Sequence, residues 1–211
     1  MSEKILEVIK KARESKKRNF KQTFDLAINL RNIDLKKSEN RIKTDIIIPN
    51  GFGKDVKIGV MVDSLIPQAK DLSNIILIRK DEIEKLGKNK KEAKNIANTC
   101  RFFIAEAPLM PLVGKNLGPI LAPRNKMPFP IPPTANLKPI IERFSKTLRI
   151  VLKDSPTIHC PVGTEDMDDQ KIAENVDAII KGVINALPKG REQVKNLNLK
   201  LTMGNRIKFN M

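Results

Sequence analysis

The hydrophobic period changes twice along the chain, and that change restricts the fold more than any other feature. Near the N-terminus, Phe24, Leu26, Ile28 and Leu30 alternate with Thr23, Asp25, Ala27 and Asn29. This is the period of two expected of a strand with one buried face. Near the C-terminus, Leu197, Leu199, Leu201 and Met203 alternate with Asn198, Lys200 and Thr202, and residues 206–209 follow a turn at Gly204-Asn205 as a short partner strand. Between these ends, short apolar strand candidates at 75–78, 101–105 and 148–152 alternate with helix patterns at 64–71, 80–98 and 134–147. Strand–helix–strand alternation of that kind predicts a parallel sheet with helices on its faces.

The pattern therefore predicts two domains of mixed α/β and α+β class. An antiparallel-sheet α+β domain uses residues 1–63 and 156–211, and a Rossmann-like α/β domain is inserted at 66–152. The first domain also contains a helix over 3–16, with Ile5, Val8, Ile9 and Ala12 on one stripe. Strands are expected at 44–48, before Pro49, and at 56–62, after the Gly51-Phe52-Gly53-Lys54 turn. After Asp154-Ser155-Pro156 come a strand over 157–162 and a helix over 168–187, with Thr164 as its expected cap. Residues 108–133, rich in Pro and Gly, read as a long functional or mobile loop.

Charge narrows the function. Lys and Arg number 40 against 24 Asp and Glu, a net charge of +16. A folded chain this basic attracts polyanions, and nucleic acid is the usual one. The excess is concentrated near the termini. Lys10, Lys11, Arg13, Lys16, Lys17, Arg18 and Lys21 face Glu14 alone, and the seven cations of residues 181–211 face Glu192 alone. No apolar run reaches the roughly 18 residues that span a bilayer, and Met1-Ser2-Glu3-Lys4 opens no signal peptide. A cytoplasmic protein without a membrane partner is expected.

Catalytic and metal chemistry find little support. His159 is the only histidine, and its neighbour Cys160 would point to the opposite face of a strand. The two cysteines, Cys100 and Cys160, lack metal-ligand spacing and fit a reducing compartment. Gly51-Phe52-Gly53-Lys54 and Gly114-Lys115 lack the spacing and the Ser/Thr of a phosphate loop. No enzyme activity, metal or cofactor is expected. Tyr and Trp are absent, which argues against a face paved with aromatic stacking platforms.

Four segments, in order along the chain, resemble the L-one family of the large ribosomal subunit, in its archaeal form. Residues 19–30, Asn-Phe-Lys-Gln-Thr-Phe-Asp-Leu-Ala-Ile-Asn-Leu, resemble the family's first strand. Residues 116–128, with Gly118-Pro119 and Pro123-Arg124-Asn125-Lys126-Met127-Pro128, resemble its Gly-Pro-Arg-Gly-x-Met-Pro signature, although Ala122 and Asn125 replace glycines. Ile158-His159-Cys160-Pro161-Val162-Gly163 resembles its return strand, and Leu201-Thr202-Met203-Gly204 its closing turn. The resemblance implies a structural protein that binds large-subunit rRNA at a mobile stalk near the tRNA exit site and aids release of deacylated tRNA. It further implies repression of translation through the protein's own mRNA, and a monomer when free. Carried onto this sequence, the RNA contacts are Phe20, Lys21, Thr23, Thr202, Met203 and Gly204, with His159 and Gly163 nearby. Two other readings stay open: a free-standing RNA-binding translational regulator, and a nucleotide-using enzyme on the Rossmann-like middle.

Overall fold

The computed structural model describes residues 2–16, 18–35, 40–70, 72, 74–153 and 155–210. Lys17 of the basic run, Asp71 at the expected end of the first inner helix, and Asp154 lie outside the described residues. In chain order the elements begin α1 (Ser2–Arg13), β1 (Thr23–Leu30), β2 (Lys43–Ile47), β3 (Ile58–Met61), α2 (Ile66–Lys70) and β4 (Ile75–Ile78). Next come α3 (Lys80–Lys88), α4 (Lys90–Thr99), β5 (Phe102–Glu106), α5 (Met110–Leu121), β6 (Phe129–Ile131) and α6 (Leu137–Ser145). The chain closes with β7 (Thr147–Val151), β8 (Thr157–Thr164), α7 (Asp169–Ala186), β9 (Val194–Leu201) and β10 (Ile207–Phe209).

The result is a mixed α/β chain, with three sheets among the described residues, that divides into two compact units, residues 1–54 with 146–211, and residues 55–145. These limits differ from the expected ones at both crossings. β3, expected with the terminal segments, pairs parallel to β4 and β5 and so belongs to the inner unit. The strand expected at 148–152 of the insertion is β7, which pairs antiparallel with β2 in the terminal unit. A short apolar strand carries no mark of the sheet it will join, because pairing is decided by partners distant in sequence.

In the terminal unit, β10, β9, β1 and β8 form an antiparallel sheet in that order. The alternation of β1 is realised in full: Phe24, Leu26, Ile28 and Leu30 are buried, and the residues between them are half-buried. Helix α1 buries Ile5, Val8, Ile9 and Ala12 and packs on α7 and β9, while α7 buries Ile172, Val176, Ile179 and Val183. Each fully buried Val or Ile side chain among these stabilises by about 1.5–3 kcal/mol. With the helices on one face, the opposite face carries Thr23, Asp25, Ala27 and Asn29 of β1, Lys200, Asn198 and Asn196 of β9, and His159 of β8.

In the inner unit, β4, β3, β5 and β6 form a parallel sheet. It has one apolar core around Ile83, Val113 and Leu117 and another around Val60, Ile104 and Leu137. The segment expected as a loop over 108–133 is mostly ordered: a short 3-10 turn, helix α5 and strand β6. Its Val113, Leu117, Ile120 and Leu121 fall on one buried stripe. Pro111 lies in the first turn, where no intrahelical N–H is needed. The helix pattern at 80–98 is broken at Asn89, whose side chain accepts from Glu92 N at 3.4 Å and starts α4. Thr164 is not a helix cap. It is the buried last residue of β8, and α7 begins after Asp168.

Candidate nucleic-acid interface

The start of β1 and the ends of β8 and β9 meet at one end of the antiparallel sheet, because Thr23 pairs with Thr164 and Phe24 with Leu201. Backbone and side chain hold Thr202 against Thr23 three times. Thr202 N donates to Thr23 O at 3.1 Å, Thr23 N donates to Thr202 Oγ1 at 3.1 Å, and that hydroxyl donates to Thr23 O at 3.2 Å. Gln22 ties the third strand in. Its carbonyl accepts from Glu165 N at 2.9 Å, and its Oε1 accepts from Met203 N at 3.1 Å. Gln22 is buried, and its Nε2 has no partner among the described residues.

This scaffold presents apolar and cationic groups to solvent. Phe20 is 51% exposed and Met203 59%. Met203 therefore lies beyond the buried part of the β9 alternation, in the turn after Leu201, and does not belong to the core. Lys21 Nζ forms an exposed ion pair with Asp166 Oδ2 at 2.7 Å, and the bond and charge of Asp166 raise the ammonium above its ordinary value. A surface pair of this kind is weak enough to exchange for another anion.

Seven of the eight expected contact residues, namely Phe20, Lys21, Thr23, Gly163, Thr202, Met203 and Gly204, lie at this end of the sheet. His159 lies further along β8, opposite Ala27, exposed on the uncovered face. The two glycines have internal reasons to be small. A Cβ on Gly163 would come within 2.9 Å of Met167 Sδ, and one on Gly204 within 2.9 Å of Ser15 Oγ. At Gly204 the absence of a side chain thus lets the chain's own Ser15 approach closely.

Five further residues join the expected ones. Gly53, at φ +66, turns the chain where a Cβ would meet Thr164 Oγ1 at 2.4 Å. That turn delivers Lys54, whose Nζ donates to Thr23 Oγ1 at 2.5 Å. Asn175 fixes the turn from beneath: its Nδ2 donates to Gly51 O and Val162 O, both at 2.9 Å, and its Oδ1 accepts from Asn50 N at 3.1 Å. Asp25 and Lys200 lie opposite each other on the uncovered face. Burial pushes the Asp25 carboxyl up, opposed by Lys200, Lys54 and His159. The polar half of the β1 and β9 alternations held the signal for Asp25 and Lys200. For Lys54 the Gly-rich turn was legible, but not its approach to Thr23, which depends on tertiary packing.

Not all the basic stretch is available to a ligand. Arg13 is turned inward: its Nε donates to Asp169 Oδ1 at 2.6 Å, and its two terminal nitrogens donate to Glu165 O at 2.6 Å and Met167 O at 2.5 Å. In the inner unit, Lys126 of the proline-rich signature donates to Ala97 O at 2.7 Å and Cys100 O at 2.8 Å, closing the end of α4. Burial pushes the Lys126 ammonium down and the Cys100 thiol up to about 11. Asn125, in place of a signature glycine, holds φ +55, a conformation asparagine tolerates better than most residues.

In the inner parallel sheet the carboxyl end of β3 is one place where a phosphate cradle would be expected. Glu106, buried at the end of β5, accepts there from Ser64 N and Leu65 N, each at 3.0 Å. The backbone donors ahead of α2 are thus already satisfied by a carboxylate. Among the described residues no group of three or more His, Cys, Asp or Glu side chains could hold a metal ion. No described helix is long and apolar enough to cross a membrane.

A basic chain with a polar sheet face and an exposed Phe and Met at one end of it has the features of the polyanion-binding class. Residues 10–205 match the model of the Ribosomal protein L1p/L10e family, and the chain belongs to that family. It is 48% identical over 206 residues to the large ribosomal subunit protein uL1 of Methanothermobacter thermautotrophicus, covering 97% of each chain. The protein of the same name from Thermococcus kodakarensis is 46% identical, covering 98% of this chain and 96% of that one. That from Methanococcus maripaludis is 50% identical, covering 96% of both. The family is structural and non-enzymatic, a component of the ribosome that binds RNA in translation.

Proposed function

We propose that the chain binds large-subunit rRNA at the mobile stalk beside the tRNA exit site, as a cytoplasmic ribosomal component. There it aids release of deacylated tRNA, and it represses translation by binding its own mRNA. The terminal unit is the RNA-binding domain, the inner unit a Rossmann-like insertion, and the free protein a monomer. The observation that carries this reading is the convergence of Phe20, Lys21, Thr23, Thr202 and Met203, from opposite ends of the sequence, on one exposed sheet end. Small groups, a hydroxyl, a thioether and backbone, suit the shallow minor groove of an RNA helix, where shape and 2′-hydroxyls are read.

The test is a salt series of affinities for the stalk rRNA, a leader from the chain's own mRNA, and an unrelated duplex of equal length. Preference for the first two that persists at high salt is the expected result. Equal affinities that fall together as salt rises mean the +16 charge binds any polyanion, and the reading fails. Met203→Asp is expected to lower affinity for the stalk rRNA at least about tenfold with folding intact, because the side chain is mostly exposed. Thr202→Val also removes the acceptor of Thr23 N, so some of its effect is on stability, about 1 kcal/mol.

A further inference from the structure

Asp25 is out of place on a face built for a polyanion. It lies mid-face, opposite Lys200 on β9 and Pro161 on β8, between Thr23 and Ala27 along its own strand. The charged and titratable groups that act on it are Lys200, Lys54 and His159. Yet the carboxylate accepts no hydrogen bond and closes no ion pair among the described residues. Lys54 is turned to the Thr23 hydroxyl instead. Burial is the largest influence on the group, and it disfavours the charged form. A half-desolvated carboxylate with unused acceptor positions is an unfavourable element in the free protein.

A phosphate could not satisfy it, since two anions repel. A neutral donor could. The surrounding cations would meet phosphates on either side, leaving the centre for the sugar between them. RNA offers a neutral O–H donor at each sugar, and that hydroxyl is what distinguishes it from DNA.

Resting on the RNA-binding reading above, we propose that Asp25 accepts a hydrogen bond from a ribose 2′-hydroxyl and is the residue by which this face prefers RNA over DNA. The pairing is charge-assisted and forms in a site that already excludes part of the water. Lys54, Lys200 and His159 lie about the carboxylate as contacts for the flanking phosphates.

The experiment compares wild-type chain, Asp25→Ala and the isosteric Asp25→Asn on the stalk rRNA and on the same sequence with every sugar 2′-deoxy. Circular dichroism and melting are recorded for each protein. Asp25→Ala is expected to lower RNA affinity roughly tenfold or more, the range of one charge-assisted hydrogen bond. Affinity for the deoxy strand should stay level or rise, so the RNA-to-DNA ratio collapses. Asp25→Asn, which keeps a neutral acceptor, should fall between. If removing the carboxylate raises affinity for both strands alike, Asp25 is only a repulsive charge and the proposal is wrong. An equal loss on both strands likewise overturns it, because the donor is then not the 2′-hydroxyl. If Asp25→Ala does not fold, the same comparison on Asp25→Asn decides. A wild-type chain with no preference for stalk rRNA over an unrelated duplex defeats the broader reading, whereas the RNA-to-DNA ratios judge Asp25 separately.

Discussion

Arg13 and Lys54 show how little the position of a charge in sequence says about its use. Arg13 belongs to the densest basic stretch, but its guanidinium bonds Asp169 and two carbonyls and lies over the Phe24 ring at 5.4 Å. Lys54 is isolated in sequence and reaches the candidate interface. Arg13→Ala is therefore expected to destabilise by about 2–3 kcal/mol in urea unfolding while leaving the salt slope of RNA binding unchanged. Lys54→Ala should reduce that slope by about one with little effect on stability. Asp25 adds a pH signature. Its folded pKa is raised by burial, so the unfolded chain releases its proton first and stability falls as pH rises from the unfolded value to the folded one. Asp25→Asn should thus be slightly more stable than wild type at neutral pH, by about 0.5 kcal/mol or less given solvent screening. The difference should vanish below roughly pH 4, and a gap that persists there contradicts the assignment. At this scale the sequence marked Phe20, Lys21, Thr23, Thr202 and Met203 through resemblance, and the polar alternation carried Asp25 and Lys200. It could not reveal Gln22 or Lys54, whose roles exist only once three strands meet.

Among the elements, β1 and β9 were legible because one face of each is buried by helices and the other is not, which leaves a period of two. Helix α5 was hidden by Gly114, Gly118, Pro111 and Pro119, although its stripe of Val113, Leu117, Ile120 and Leu121 has helical spacing. The glycines of the helices separate by what a methyl group would meet. At Gly114 there is nothing within 4 Å, whereas at Gly182 of α7 a Cβ would lie 2.4 Å from Ile46 Cδ1 and 2.9 Å from its Cγ1. Gly114→Ala should accordingly stabilise by about 0.5–1 kcal/mol through helix propensity. Gly182→Ala should destabilise by about 1–3 kcal/mol, because α7 and β2 would have to move apart. Opposite shifts in thermal midpoint check both. Gly118 has equal space but precedes Pro119, where a Cβ would press on the proline ring, so the same gain is not expected there.

At the scale of the whole molecule, the antiparallel sheet joins strands that are far apart in the chain: β1 pairs with β8 and β9, with Thr23 opposite Thr164 and Phe24 opposite Leu201. The sequence implied that the termini share one unit but placed differently where the chain leaves it and returns, because β3 and β7 are both short strands whose sheet is decided by partners distant in sequence. The observed crossings make a sharper prediction. Within the terminal unit, Ile48 N donates to Lys146 O at 2.8 Å, and a Cβ on Gly51 would lie 3.9 Å from Lys146 Cγ. The points where the chain leaves and re-enters are thus close together, and about four glycines, at 3.3–3.6 Å each, can bridge them. A chain in which residues 55–145 are replaced by such a linker keeps α1, α7, the four-stranded sheet and the β2–β7 pair. It should unfold in one cooperative transition and bind the stalk rRNA within about threefold of the full chain, since the linker removes none of the proposed contacts and about 0.6 kcal/mol is the scale of small loop changes. Cooperative folding with lost affinity would assign part of the RNA contact to residues 55–145. A chain that fails to fold would mean that the terminal core depends on the segment inserted into it, and that the two units are a geometric division only.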